Sequence, residues 1–157
     1  MKRPNSSMQL TRAADYAVRV MVQLAKSPME QRVLLPELAA ATDAPESFLS
    51  KVLQALSRAG LIDSKRGHSG GFQISSQGRR ASMLDVIEAI DGPISLNLCL
   101  VSGKACHRMA HCPAHPVWER AQFAMRDVLS KAMIADMAEE QTQPVFAGVC
   151  GLNVNQL

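Results

Sequence analysis

The chain has 157 residues, 47% of them apolar and 20% charged, with a net charge of +3, ordinary proportions for one soluble domain or one small domain plus a long helix. At that length about two-thirds of the unfolded surface can be buried, so no disulfide scaffold is needed, and the cysteines are too few for one. No apolar run approaches the ~18 residues of a membrane span and the opening MKRPNSS leads into no apolar signal segment, so a cytoplasmic protein is expected.

In chain order, Ala14, Ala17, Val18, Met21, Val22 and Ala25 recur at helical spacing over residues 11–26, with Thr11 as N-cap. Ser27-Pro28 ends that helix. Leu35-Pro36-Glu37 opens a short second helix with proline in its first turn, and Thr42-Asp43-Ala44 makes a brief turn. Pro45-Glu46 starts a third helix that runs to about Ala59, with Gly60 just beyond its end. Leu49, Val52, Leu53 and Leu56 form its buried stripe; Ser47, Ser50, Lys51, Gln54, Ser57 and Arg58 take the other side. Residues 61–65 and 72–75 read as two short strands around a basic, glycine-rich tip, a β-hairpin.

Helix, short helix, turn, helix and hairpin is the winged helix-turn-helix order, in which the later helix enters the major groove and the wing tracks the backbone. The expected fold is mainly α with a small β-hairpin wing. Charge agrees with this reading: residues 1–80 carry twelve Lys/Arg against six Asp/Glu, residues 81–157 five against eight, so a polyanion-facing module is joined to something else. Ser47, Ser50 and Lys51 are placed at base edges, Gln54 and Arg58 nearer phosphate. Lys65, Arg66, Gly67 and His68 lie at the wing tip, with Gly70 and Gly71 allowing close backbone approach. Each alone fits a solvated helix face beside an ordinary hairpin; the ordered set points to double-stranded DNA.

Ser82-Met83-Leu84-Asp85 resembles a capping box with Asp in place of Glu, opening a connecting helix over 81–91. Residues 92–116 hold Pro93, Pro113, Pro116, Gly92 and Gly103, and read as an irregular loop with at most one helical turn. From 117 to 138 the pattern is helical again, with Trp118, Ala121, Met125, Val128, Ala132 and Ala135 in an a/d heptad, widened by Leu129 and Met133. A lone helix of that length needs a partner; a homodimer supplies one, and packing on the N-terminal domain is the plainer option. Residues 139–157 read as a flexible tail. The division is therefore a DNA-binding domain over 8–80, the connecting helix, a cysteine-rich loop over 92–116, a long C-terminal dimerisation helix and a tail.

The loop contains Cys99, Cys106 and Cys112, with six and five residues between them and His115 three residues on. Soft thiolates in one loop can converge on an iron–sulfur cluster or on zinc, though the spacing is wider than zinc knuckles use. Three thiolates leave the fourth position to another ligand, which suits a labile sensor. The plainer reading is three free cysteines. His107 and His111 are taken as bystanders and Cys150 as a free tail thiol. A metal-dependent or cysteine hydrolase on Cys106 or Cys112 would need a rigid pocket and oxyanion site that a Pro/Gly-rich loop does not visibly supply.

Taken together, Met8-Gln-Leu-Thr11, Asp15-Tyr16-Ala17-Val18-Arg19, Ser47-Phe-Leu-Ser-Lys-Val-Leu53, Ala59-Gly-Leu61, the wing Lys65-Arg-Gly-His-Ser-Gly-Gly-Phe72 and Asp85-Val-Ile-Glu-Ala-Ile90 resemble the IscR/NsrR-type winged-helix regulators of bacteria, the Rrf2 family. The resemblance covers about residues 8–138, and places Met8 at the family's usual start. It implies a homodimeric, non-enzymatic transcriptional repressor or activator whose iron–sulfur cluster sets its DNA affinity in response to nitric oxide, redox state or iron supply, with no membrane or small-molecule substrate involved. The implied ligands are Cys99, Cys106 and Cys112, and a fourth that is either Asp15 from the other subunit, with a 4Fe-4S cluster, or His115, with 2Fe-2S; the sequence leans to the first. Two departures stand out: His68 occupies a position where the family usually has proline, and the first cysteine spacing is one residue longer than in IscR-like members. A zinc- or thiol-based redox regulator on the same fold is the alternative.

Overall fold

The computed structural model describes residues 10–28, 30–67, 70–101, 106 and 108–140. The wing residue His68, the bystander His107, the tail thiol Cys150 and the tail from 141 onward lie outside them. Helix α1 (Arg12–Lys26) is central, packed on α2 (Leu35–Thr42), α3 (Glu46–Arg58), α5 (Met83–Asp91) and α7 (Ile134–Glu140). Of the positions expected from spacing, Ala14, Ala17, Met21, Val22 and Ala25 are buried and Val18 is half-buried, while Val20 and Leu24, outside that expectation, are buried as well. Thr11 is the N-cap, its Oγ1 accepting from the Ala14 amide at 3.2 Å. The same residue donates from its amide and hydroxyl to the Asp91 carboxylate at 3.1 and 2.6 Å, tying the start of α1 to the end of α5.

The wing is β1 (Ile62–Lys65) paired antiparallel with β2 (Gly71–Ile74), Ile62 opposite Ile74 and Lys65 opposite Gly71. Helix α5 begins with the expected box: Asp85 accepts from the amide and hydroxyl of Ser82 at 2.8 and 2.7 Å, and its own amide donates back to Ser82 Oγ. The architecture is mainly helical with one hairpin. No helix among the described residues is long and apolar enough to cross a membrane.

The structure differs from the sequence reading in three places. A single-turn helix, α4 (Ser76–Arg79), follows the wing, too short to leave a periodic signal. In the 92–116 segment there are two 3-10 turns, Leu98–Leu100 and Met109–His111, and α6 (His115–Lys131) already includes His115 and Pro116. Pro116 belongs to the first turn of that helix, where a missing N–H costs nothing. The helix expected over 117–138 is instead two, α6 and α7. At the break the Met83 amide donates to the Ala132 carbonyl at 2.8 Å and the Ile134 amide to Ala81 at 3.0 Å, a short antiparallel bridge of Met133 with Ser82. These main-chain bonds outweigh the apolar period. They also hand α7 to the core, where Ile134 is fully buried.

Arg79 secures the other end of α1. Its Nη2 donates to the Ser27 carbonyl at 2.9 Å and its Nη1 to Ala25 at 3.4 Å, a cation where the helix dipole is negative. Arg79→Met keeps the stem and removes both bonds; it is expected to cost about 2 kcal/mol, lowering the thermal midpoint by some 5 °C, roughly the scale of charge-assisted bonds in a domain of this size. Arg79→Lys should recover part of the loss, and a midpoint unchanged in Arg79→Met would refute this capping role.

Candidate nucleic-acid interface and metal-binding loop

Helix α3 buries Leu49, Val52, Leu53 and Leu56 and turns Ser47, Lys51, Gln54 and Arg58 outward, with Ser50 half-buried. Lys51, Gln54 and Arg58 make no ion pair or side-chain hydrogen bond among the described residues. Their polar groups are free to meet phosphates or base edges.

In the wing, Lys65, Arg66 and Gly67 are exposed. The tip is held by the Gly70 amide donating to the Gly67 carbonyl at 2.8 Å; a Cβ at Gly70 would lie 2.5 Å from the Lys65 carbonyl oxygen, so only glycine closes this turn. The base is braced from the α1–α2 linker. Val33 and Phe72 exchange two main-chain hydrogen bonds of 2.9 Å, and Arg32 Nη1 donates to the Gly71 carbonyl at 3.2 Å. A side chain at Gly71, whose φ is +128°, would strike the Val33 carbonyl at 2.9 Å. Arg32 was absent from the sequence reading because its partners are backbone carbonyls, which leave no signature.

Cys99 lies half-buried on the first 3-10 turn, Cys106 is exposed, and Cys112 is half-buried at the end of the second; all three are free thiols. Among the described residues no three His, Cys, Asp or Glu side chains come together as a metal site. The donor chemistry nevertheless fits a soft metal, since three thiols and several imidazoles share the loop. One imidazole belongs to His115, whose amide donates to the Cys112 carbonyl at 3.2 Å. Its side chain is 12% exposed, its Nε2 is 3.6 Å from Glu119, and its buried Nδ1 has no hydrogen-bond partner among the described residues, the kind of buried group that a ligand can satisfy. Asp15 is placed differently. It is half-exposed and ion-paired within α1 to Arg19 at 2.9 Å, so its carboxylate is already engaged.

Helix α6 connects this loop to the body. Its inner side is docked by Arg126 to Glu88 and by Gln122, which accepts from the Leu96 amide at 3.1 Å. No α6 residue is fully buried. The heptad read from the sequence mixes two faces: Trp118, Met125 and Leu129 turn inward and are half-buried, whereas Ala121 and Val128 face out. The outward stripe is Val117, Ala121, Ala124 and Val128, with Val117 and Val128 more than 60% exposed and Phe123, at 74%, beside it.

The family model described as "Rrf2: Iron-dependent Transcriptional regulator" matches residues 10–140. An HTH-type transcriptional regulator of Mycobacterium tuberculosis is 34% identical over 131 residues, 83% of this chain and 81% of that protein. The structure of CymR, described as the global cysteine regulator of B. subtilis, superposes with a TM-score of 0.69 at 25% identity, covering 85% of this chain and 98% of that one. T. potens IscR has the same fold, with a TM-score of 0.68 at 23% identity over 89% of this chain and 94% of that one.

Proposed function

The chain belongs to the Rrf2 family of winged-helix transcriptional regulators, and from that premise we propose a homodimeric repressor whose DNA affinity is set by an iron–sulfur cluster bound in the 99–115 loop. The family consists of DNA-binding regulators rather than enzymes, which removes the hydrolase alternative. The observation that carries the finer reading is the loop itself: three free thiols and, at its end, the unpartnered buried Nδ1 of His115. Cys99, Cys106 and Cys112 supply the thiolates. For the fourth ligand the preference moves from Asp15 to His115, and with it from 4Fe-4S towards 2Fe-2S, because His115 is in the loop and has a buried nitrogen to spare, whereas Asp15 lies on α1 in a surface pair with Arg19.

A bound cluster supplies thiolate–iron bonds that nitric oxide, oxidation or iron loss can break. The protein's own residues turn that event into a change of shape. His115 is the first residue of α6, so ordering of the cysteine loop is passed directly to this helix. Arg126 and Gln122 hold α6 to α5 and to the 94–97 segment. Its outward stripe of Val117, Ala121, Ala124 and Val128 suits a second copy laid antiparallel, valine against valine and alanine against alanine. The pose of α6 would then fix the distance between the two α3 helices, and so which half-site spacing is read.

The test is anaerobic reconstitution with iron and sulfide, followed by visible absorption and metal analysis. The wild-type chain should become coloured and bind iron and sulfide in matched amounts. Cys106→Ser should abolish this, His115→Ala should leave a labile cluster, and Asp15→Ala should behave as wild type. A colourless wild-type protein sinks the cluster reading. Exposure of Cys106 favours a second reading, a zinc- or thiol-based redox regulator, for which stoichiometric zinc without sulfide, or reversible thiol oxidation alone, would be found.

A further inference from the structure

The recognition helix has no side-chain cap at its start: its N-cap is Pro45, which makes no such bond. Its inner stripe, Leu49, Val52, Leu53 and Leu56, holds it against the core on one side only. One ring contact from outside the helix reaches its first turn, and three further interactions stand behind it. The Tyr16 ring of α1 meets the ring of Phe48, the third residue of α3, edge-on, with centroids 5.5 Å apart and planes at 67°. The Tyr16 hydroxyl points at the Asp43 carbonyl, 3.5 Å away. Asp43 ends α2 in a left-handed conformation with φ of 52°, the one non-glycine positive φ among the described residues. Above Tyr16, the Arg19 guanidinium lies 5.6 Å from the ring centroid and is itself fixed by Asp15 at 2.9 Å.

We propose that Tyr16 and Arg19 are positioning residues for DNA reading: the Asp15–Arg19–Tyr16–Phe48 stack sets the place of the first turn of α3. This rests on the reading of α3 as the DNA-contacting helix. Ser47 and Lys51 lie one residue before and three after Phe48, so a shift of the Phe48 ring is a shift of the side chains placed at base edges. Edge-on rings resist sliding because ring faces are negative and edges positive, and a guanidinium over the outer face adds to that preference. None of these groups needs to touch DNA to act.

The test compares the affinity of the full chain for the duplex it enriches from a randomised pool with its affinity for a scrambled duplex, across a salt series. Tyr16→Leu should lower the ratio of specific to scrambled binding about tenfold, the size expected when an aromatic edge contact and a cation–π contact are lost together. Arg19→Met should lower it severalfold. The salt slope should stay unchanged in both, because no phosphate contact is removed, and Tyr16→Phe, which keeps the ring, should stay near wild type. A ratio within about twofold of wild type in both Tyr16→Leu and Arg19→Met overturns the proposal; so does a slope shallower by about one in Arg19→Met, which would make Arg19 a phosphate contact. If Tyr16→Leu does not fold, Arg19→Met and Tyr16→Phe still decide. A wild-type chain that enriches no sequence overturns the DNA-reading assignment of α3 itself, a separate failure.

Discussion

Ala124→Glu is expected to convert a dimer into folded monomers and to reduce operator affinity by about two to four orders of magnitude, the usual gain from linking two binding modules. Ala124 is exposed at the middle of the outward stripe of α6, so its Cβ supports nothing within the chain. Glutamate costs a solvated helix position at most a few tenths of a kcal/mol relative to alanine. In the antiparallel seam the same change places two like charges within one apolar patch, each facing an alanine rather than a counter-charge, at a cost of several kcal/mol. The two effects differ by about an order of magnitude, so association should fail while the fold persists. Light scattering or sedimentation reads the mass, and circular dichroism checks that helix content is retained. An Ala124→Glu protein that remains dimeric would show that the stripe is not the interface.

Gly78→Ala should destabilise the fold by about 3 kcal/mol, the upper part of the range for overpacking, and lower the thermal midpoint by about 10 °C. Glycine-to-alanine within an exposed helix ordinarily stabilises by up to ~1 kcal/mol, so the sign of the effect is informative. Here a Cβ on Gly78 would lie 2.0 Å from the Leu61 carbonyl oxygen and 3.0 Å from Ile74 Cγ1. The obstacle is backbone, and that carbonyl is already held by the Ser75 amide at 3.1 Å. Helix α4 would have to back away, pulling Arg79 from the end of α1. Thermal unfolding of Gly78→Ala beside a helix-surface control such as Gln77→Ala measures it; equal midpoints would refute the close approach.

Much of the winged module could be read from residue order because its signals are local. Leu49, Val52, Leu53 and Leu56 mark the inner face of α3, and Ser82 with Asp85 marks the start of α5. What escaped the sequence is held by long-range main-chain bonds. Ala132 and Met133 carry no glycine or proline, yet the chain breaks there because Ala81 and Met83 bind it. Arg32 and Arg79 look like two more surface cations until the carbonyls they serve are seen. The candidate site divides in the same way. The outward face of α3 follows from helical spacing, and the thiols from counting. The pairing of Asp15 with Arg19, four residues on along one helix, is local in the same sense, whereas the solitary nitrogen of His115 depends on neighbours that only the folded chain reveals. The heptad mixes two faces for a geometric reason: Trp118 and Val128 share a seven-residue pattern, but the first packs inward and the second is exposed.

The bridge between Met133 and Ser82 has a mechanical side. Helix α6 is pinned to the body by main-chain bonds at its Lys131 end and by side chains alone at Arg126 and Gln122, while its other end opens into the segment that contains Cys112. At 1.5 Å per residue its 17 residues make a lever about 25 Å long. A tilt of about 5° at the pinned end therefore sweeps the cysteine end through about 2 Å, a displacement of the order that distinguishes switched states of helices at interfaces. Conversely, a tug of about 2 Å at the loop reaches the hinge as a few degrees of rotation with little translation.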